Sequence, residues 1–543
     1  ESDFCSRLRC SHFSHCFFFR ARREAASADL LVVNHHILLA DIALRAEMGG
    51  GADMAILPGY SRLIIDEGHN LEDGATSYFG SRASRLGMLK TLGRLHHRRE
   101  GKDKGALPFL ANRLRSRKRS NEKEQVWLGL ITGQLVFEKD SVSARVNEAF
   151  DLLYKFIGNQ SGEFGAELKL RLTDAVKTRP GWVDVEAAFD RLGVELARLV
   201  RSLNSMHTSL SDDGFGDKLS DPLIEVKALS ERLEGTAAEL DNLVKGGQDS
   251  LVRWVEAPSK KGGKVISICG SPLNVAGEIK ARIYDRLKTV AITSATLTVK
   301  KKFDFIKKRI GLDLLPEDRL LTGVFPSPFD FKSQVIIGIP KDIVQPTDPK
   351  FTSELTELVM HSLEISKGRA FVLFTSFRML NQVYTELLPR MEAAGIRGMK
   401  QGEMPRHRLL GDFKKYPSTA LFGTDSFWEG VDVIGDALSN VIITKLPFSV
   451  PDDPVIEARQ EEIAANGGNP FMEYIVPQAV IKFRQGFGRL IRSRTDRGSI
   501  LIFDRRVVDK AYGREFLQSL PEGRFVKEPR NEVFRQVAEF FSK

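Results

Sequence analysis

Cysteine is scarce in this chain: there are four in 543 residues. Three of them, Cys5, Cys10 and Cys16, sit close together near the start, and Cys269 stands alone. So few cysteines exclude a secreted disulfide scaffold and fit a reducing, cytoplasmic setting. No apolar run approaches the ~20 residues that cross a bilayer, so no membrane partner is expected. No signal peptide is expected, and the first residue is Glu1 rather than Met. Also missing is any G-x-x-x-x-G-K-[ST], the loop whose amides and lysine cradle nucleotide phosphates. Acidic residues are outnumbered, giving a net charge of +9 and a pI near 9.2, a balance that favours a polyanionic partner.

Within the first twenty residues the spacing is C-x4-C-x5-C, with His12 and His15 between. Clustered thiolates of this kind usually hold a metal or a cluster. Three readings stay open on spacing alone: an iron–sulphur cluster whose fourth cysteine lies upstream, a zinc site of three cysteines and one histidine, or three free thiols. Cys269, in the apolar run 265–269, reads as a packed small hydrophobe.

The stretch around which the rest is organised is Ser61–Asn70. The short apolar run Leu63-Ile64-Ile65 leads into Asp66-Glu67-Gly68-His69. A buried parallel strand reads as a continuous apolar run, and ligands bind beyond its carboxyl end. Two adjacent carboxylates there suit a Mg²⁺ ion (Asp66) and an attacking water (Glu67). Upstream, Leu30–Val33 is a candidate strand ending in Asn34-His35-His36, and Gly49-Gly50-Gly51 a flexible break. Between about Ala75 and Ser250 the pattern turns helical. Val185, Phe189, Leu192, Leu196, Leu199 and Leu203 recur at steps of three and four, as do Val226, Leu229, Leu233, Leu240 and Val244. Two antiparallel helices joined by a loop over Ser209–Asp221 account for both sets. Inside this region Lys90–Arg119 carries eleven Lys/Arg against Glu100 and Asp103, an excess equal to that of the whole chain. It is either a solvated face or a phosphate-tracking surface.

Apolar strands then resume. Val290–Thr298 ends in Ser294-Ala295-Thr296, and Val324–Phe329 is a Pro-rich joint. Strands expected at Gln334–Ile339, Arg369–Phe374, Thr419–Gly423, Asn440–Thr444 and Ser499–Phe503 alternate with helices, the signature of a doubly wound parallel sheet. Thr375-Ser376-Phe377 follows the second of them, and Gly423–Val433, GTDSFWEGVDV, follows the third. Gln485–Arg492, QGFGRLIR, is expected on a helix with Gln485, Gly488, Arg489 and Arg492 along one face.

Taken in order, DEGH, SAT, TSF, GTDSFWEGVD and QGFGRLIR resemble motifs II to VI of superfamily 2 helicases. The cysteine cluster ahead of DEGH and the helical insertion before SAT resemble the iron–sulphur, DinG/XPD-type DNA helicases, the bacterial DinG-like group in particular. The resemblance implies an α/β fold of two RecA-like doubly wound domains, with an iron–sulphur insertion and a helical arch. The expected division is 1–20 for the end of the cluster insertion, 21–75 and 251–323 for helicase domain 1, 76–250 for the arch, and 324–543 for helicase domain 2. It implies ATP, Mg²⁺ and a [4Fe–4S] cluster as cofactors, and movement along single-stranded DNA into duplex junctions, 5′ to 3′, by a monomer, in repair or replication. The cluster domain and arch form the gate through which one strand passes. Glu67, Arg489 and Arg492 are then catalytic. Asp66, Glu67, His69, Glu429, Asp432, Gln485, Arg489 and Arg492 meet the nucleotide, and Asp66 holds the metal. Cys5, Cys10 and Cys16 hold the cluster. Ser294, Thr296, Thr375, Ser376 and Asn34 couple hydrolysis to the domains or to DNA. The family's phosphate loop precedes its cysteine cluster, so the sequence is expected to be the carboxyl-terminal majority of a longer helicase and, as it stands, to hydrolyse ATP poorly. An ATP-independent DNA-binding module, a DEAH-type RNA helicase and a helicase-like nuclease are the rival readings.

Overall fold

The structure is a computed structural model that describes residues 12–47, 55–115, 122–161, 168–212, 216–247, 251–257, 265–428, 435, 437–449 and 453–542. Cys5, Cys10, the triple glycine at 49–51, Glu429 and Asp432 lie outside the described residues. The chain divides into two compact units. One comprises Glu1–Ser61, Glu72–Val275 and Asp452–Ala458; the other Arg62–Leu71, Ala276–Pro451 and Arg459–Lys543.

Two helices lead the first unit, α1 (Phe17–Ala26) and α2 (His35–Glu47), before the chain enters β1 (Arg62–Ile65) of the second. The strand expected at Leu30–Val33 does not form. Those residues run without secondary structure, with Leu30 76% and Val32 91% exposed. An apolar run becomes a strand only where a neighbour takes its backbone hydrogen bonds, and none does so here among the described residues.

After β1 the first unit continues with β2 (Ser81–Ser84), α3 (Arg85–Leu95), a hairpin of β3 (His97–Arg99) and β4 (Lys102–Lys104), and α4 (Ala106–Arg115). Next come α5 (Leu135–Ser161), β5 (Leu168–Arg171), α6 (Trp182–Leu210), α7 (Gly216–Lys245), β6 (Leu251–Ala257) and β7 (Ser267–Pro272). The heptad-like spacing is realised: every seam residue named for α6 and α7 is buried, in one core with Phe150 and Trp182. The expected loop at Ser209–Asp221 is shorter than its Ser, Asp and Gly content suggests, because α6 runs to Leu210 and α7 starts at Gly216. The region is also not purely helical. β2, β7, β6 and β5 form an antiparallel sheet in that order, and β6 and β7 carry the unit past residue 250, the expected edge of the insertion, to Val275. Cys269 is buried on β7, as a packing residue, with its thiol pushed up to about 12 by burial.

The second unit holds two parallel sheets. In the small one β1 pairs with β8 (Thr289–Ile292), with Ile65 opposite Ile292. The large one contains β9 (Val335–Gly338), β10 (Ala370–Leu373), β11 (Arg397–Lys400), β12 (Thr419–Gly423), β13 (Asn440–Ile443), β14 (Gly498–Ile502) and β15 (Arg524–Val526). Its order is β11-β12-β10-β13-β14-β9-β15, all parallel. Five of these strands were expected. The two missed, β11 and β15, are the short edge strands, whose Arg and Lys weaken any apolar pattern. β9, β10, β12, β13 and β14 are buried throughout, with a hydrophobic core on each face of the sheet. This is the doubly wound arrangement. From β10 the chain turns one way to β11 and later the other way to β13 and β14. The switch point therefore lies at the carboxyl ends of β10 and β13, where open α/β sheets bind ligands.

Candidate nucleotide site

The register of the small sheet builds the site. With Ile65 opposite Ile292, the next pair is Asp66 and Thr293, and the Thr293 hydroxyl donates to Asp66 Oδ1 at 2.9 Å. The Glu67 N–H donates to the same oxygen at 3.0 Å. Glu67 adopts the left-handed conformation, φ +50°. A non-glycine residue there is strained by about 1–3 kcal/mol, which surrounding contacts must offset. They are present: the Gly68 N–H donates to Thr293 O at 2.9 Å, and a Cβ on Gly68 would stand 2.2 Å from Ile292 Cγ2. The turn thus throws both carboxylates outward, and both are exposed.

Behind them is a polar cluster of the residues singled out from sequence. His69 Nδ1 lies 2.7 Å from Ser294 Oγ and 3.4 Å from Thr296 Oγ1. Ser294 Oγ is 3.3 Å from Glu67 Oε2, and Glu67 Oε2 is 3.4 Å from His69 Nδ1. Glu67, His69, Ser294 and Thr296 therefore form one connected group.

Of the remaining expected residues, Ser376 caps a helix, α8 (Phe377–Ala393), with its hydroxyl accepting from Met379 N at 3.4 Å. Thr375, between β10 and that cap, is half-buried at the switch point. Asn34 caps α2, its Oδ1 accepting from Ile37 N at 2.9 Å. QGFGRLIR departs from expectation. Its helix, α9 (Val476–Phe487), stops before the arginines, so Gln485 is helical while Gly488, Arg489 and Arg492 are not, and the four do not share a helix face. The cause is a local side-chain cap: Asp496 accepts the N–H groups of Arg492 (2.7 Å) and Ser493 (2.8 Å), folding the chain into a turn. Arg489 Nε donates to Trp428 O at 3.0 Å, and the buried Trp428 indole donates to Phe374 O at 3.3 Å, so Arg489 is referenced to the end of β10. Gln485 is buried, and neither polar atom of its side chain has a hydrogen-bond partner among the described residues. A buried amide left so costs about 1–3 kcal/mol.

Three contributors were missed from sequence. Thr293 was legible only through register. Trp428 lies within GTDSFWEGVDV, but as a packing residue. Arg484, just ahead of the motif, reaches from α9 to the Ser294–Thr296 loop, donating to Ala295 O at 3.0 Å and Thr298 O at 2.8 Å. Burial lowers its guanidinium pKa, and among the described residues no carboxylate lies within ion-pair distance.

Asp66, an exposed carboxylate braced on one oxygen, fits a hard cation such as Mg²⁺. For a cysteine-held cluster the described residues supply only Cys16, a half-buried free thiol at the start of α1. Among the described residues no three His, Cys, Asp or Glu side chains form a metal-holding group.

Carboxylates at the end of one parallel strand, hydroxyls at the end of its neighbour and an arginine-bearing helix tied to the same loop define a phosphate-handling α/β protein. Residues 359–523 match the Helicase C-terminal domain family. The "ATP-dependent DNA helicase YoaA" of Haemophilus influenzae is 32% identical over 521 residues, 96% of this chain and 71% of that one. Its Escherichia coli K12 namesake is 33% identical over 525 residues, with the same coverage. The "3'-5' exonuclease DinG" of Bacillus subtilis is 30% identical over 96% of this chain, which spans 54% of that protein. The solved structure of S. tokodaii Xpd4 is a remote likeness, at 17% identity and a TM-score of 0.46 over 89% of this chain and 80% of that one. The chain belongs to the DinG/YoaA family of helicases.

Proposed function

We propose that the protein is an ATP-dependent DNA helicase that couples ATP hydrolysis to translocation on single-stranded DNA and to unwinding of duplex junctions, 5′ to 3′, as a cytoplasmic monomer serving repair or replication. What supports this most is the coupling of Glu67 to the Ser294–Thr296 loop in a chain of this family. Asp66 holds Mg²⁺ and Glu67 orients and deprotonates the attacking water. Arg489 and Arg492 face the transferred phosphate, a role worth about 10³–10⁵ in rate in other phosphoryl-transfer enzymes. Gln485, His69, Glu429 and Asp432 contact the nucleotide. Ser294 and Thr296 carry its state to Thr375 and Ser376, and Asn34 faces DNA. Cys5, Cys10 and Cys16, with a fourth cysteine, would hold a [4Fe–4S] cluster, which would serve as a structural clamp and take no part in the chemistry. Residues 324–543 are helicase domain 2, and residues 76–250 are the arch.

The test is ATP hydrolysis by the product of the full open reading frame, with and without single-stranded DNA, beside Glu67→Gln. DNA-stimulated hydrolysis that falls at least about 100-fold in Glu67→Gln, with nucleotide binding retained, is expected. Hydrolysis indifferent to DNA, or unchanged in Glu67→Gln, would overturn the assignment, and degradation of the strand without unwinding would make the protein a nuclease.

A further inference from the structure

The basic run between residues 90 and 119 has no part in the nucleotide site, yet the fold gives its centre a definite shape. β3 and β4 form an antiparallel hairpin turned at Glu100-Gly101, both with positive φ (54° and 75°), as a tight two-residue turn requires. All six strand residues are exposed. The register sets Arg99 opposite Lys102, Arg98 opposite Asp103 and His97 opposite Lys104. Like charges directly opposite, as at Arg99 and Lys102, destabilise a strand pair, and the opposite charges of Arg98 and Asp103 offset part of that cost.

Its base compensates. His96 Nε2 lies 3.2 Å from Asp103 Oδ1, His97 Nδ1 2.8 Å from Gly93 O, and Lys139 Nζ donates to His96 O at 3.2 Å. Gly105, at φ +122°, seals the base: a Cβ there would stand 2.6 Å from Leu95 O. Of the two acids, Asp103 is engaged by His96 and Glu100 lies 3.9 Å from Arg99. Among the described residues, Arg98, Lys102 and Lys104 have no carboxylate within ion-pair distance. The result is a rigidly mounted, protruding cationic ribbon, not a solvated charge run on a helix face.

We propose that this hairpin grips the phosphate backbone of duplex DNA, without reading its sequence; the inference rests on the helicase reading and adds the contact surface. A two-stranded ribbon fits the major groove of B-DNA. The hairpin carries no Phe, Tyr or Trp, and its one imidazole, His97, is held by Gly93 O, so it lacks the stacking platform of large aromatic rings by which single strands are held. Each phosphate contact adds about one unit to the slope of log affinity against log salt.

The experiment uses the product of the full open reading frame and its Arg98→Gln/Arg99→Gln/Lys102→Gln/Lys104→Gln variant, measuring affinity for blunt duplex and for single-stranded DNA between about 50 and 200 mM salt. The expected result is a duplex slope shallower by roughly three to four and duplex affinity down at least about tenfold, with single-strand affinity and strand-stimulated ATP hydrolysis retained. Should the fourfold variant fold poorly, Lys102→Gln/Lys104→Gln serves, with a slope change of about two. An unchanged duplex slope, or a loss confined to single strands, overturns the proposal. Failure of the helicase reading shows separately, as wild-type protein without strand-stimulated hydrolysis.

Discussion

Arg484 shows how much one residue can decide. A guanidinium removed from water is seldom without an acid, yet this half-buried one is held by the carbonyls of Ala295 and Thr298. It ties α9, which carries Gln485 and leads to Arg489, to the loop whose hydroxyls touch Glu67. Its rigid planar fork presents separate nitrogens to the two carbonyls in one fixed geometry, which the single nitrogen of an ammonium does not reproduce. Arg484→Lys is therefore expected to keep the fold and the charge but lower DNA-stimulated turnover about 10- to 100-fold, with KM for ATP little changed. Recovery of full turnover by lysine would mean that charge alone matters there. Steady-state kinetics beside a thermal melt separates the two. Sequence marks Arg484 only as the residue before a motif; its partners lie 186 and 189 residues away. Glu67, by contrast, was legible in identity and not in conformation, because a left-handed glutamate is imposed by the packing of Gly68 on β8 and not by local propensity.

At the scale of elements, α9 shows why a spacing argument can fail. Q-x-x-G-R-x-x-R has helical periodicity, but the chain leaves the helix because Asp496 offers its N–H groups a better partner. Burial alone would raise the Asp496 carboxyl pKa; hydrogen bonds from Ser493 and from the Arg492 and Ser493 N–H groups outweigh it and hold it below the usual carboxylate range. A depressed folded pKa stabilises above the unfolded value, near 3.9, and that stability is lost as pH falls through the folded value. Asp496→Asn is thus expected to cost about 1–3 kcal/mol at pH 7, with the gap from wild type closing below about pH 4. Urea titrations across that range read the difference directly, and a gap independent of pH would rule out the carboxylate's role. The turn also sets Arg492, so the same variant should lower ATP turnover. Patterning served best where one face is buried along a whole element. The seams of α6 and α7 and the central strands of the large sheet were legible for that reason. The antiparallel sheet of β2, β7, β6 and β5 was not, since its strands come from segments far apart and only tertiary pairing makes them strands.

For the whole molecule, the division of the chain bears on what can fold alone. Motif II sits on a strand whose partner lies far downstream, Asp66 and Thr293 being 227 residues apart. The small sheet therefore forms only after a long loop closes. The large sheet has no such debt: its seven strands all lie between Val335 and Val526. The helix Arg530–Ser542 packs its Val533 and Val537 on one face, in the core with Ile336. The Pro-rich joint ahead of β9 has no regular structure and leaves Val324 and Phe325 exposed. Residues 276–323 nevertheless belong to the same compact unit as the large sheet, so the expected boundary at 324 needs a direct test. Residues 324–543 expressed alone are expected to melt cooperatively with native near-UV dichroism, because both faces of the sheet keep their cores, and to hydrolyse no ATP, because Asp66 and Glu67 are absent. A broad, non-cooperative melt would instead show that the β1–β8 pair and the carbonyl contacts of Arg484 are needed to hold α9 on the sheet. The boundary would then fall upstream of 276, and the two parallel sheets would make one folding unit despite the distance between their strands along the chain.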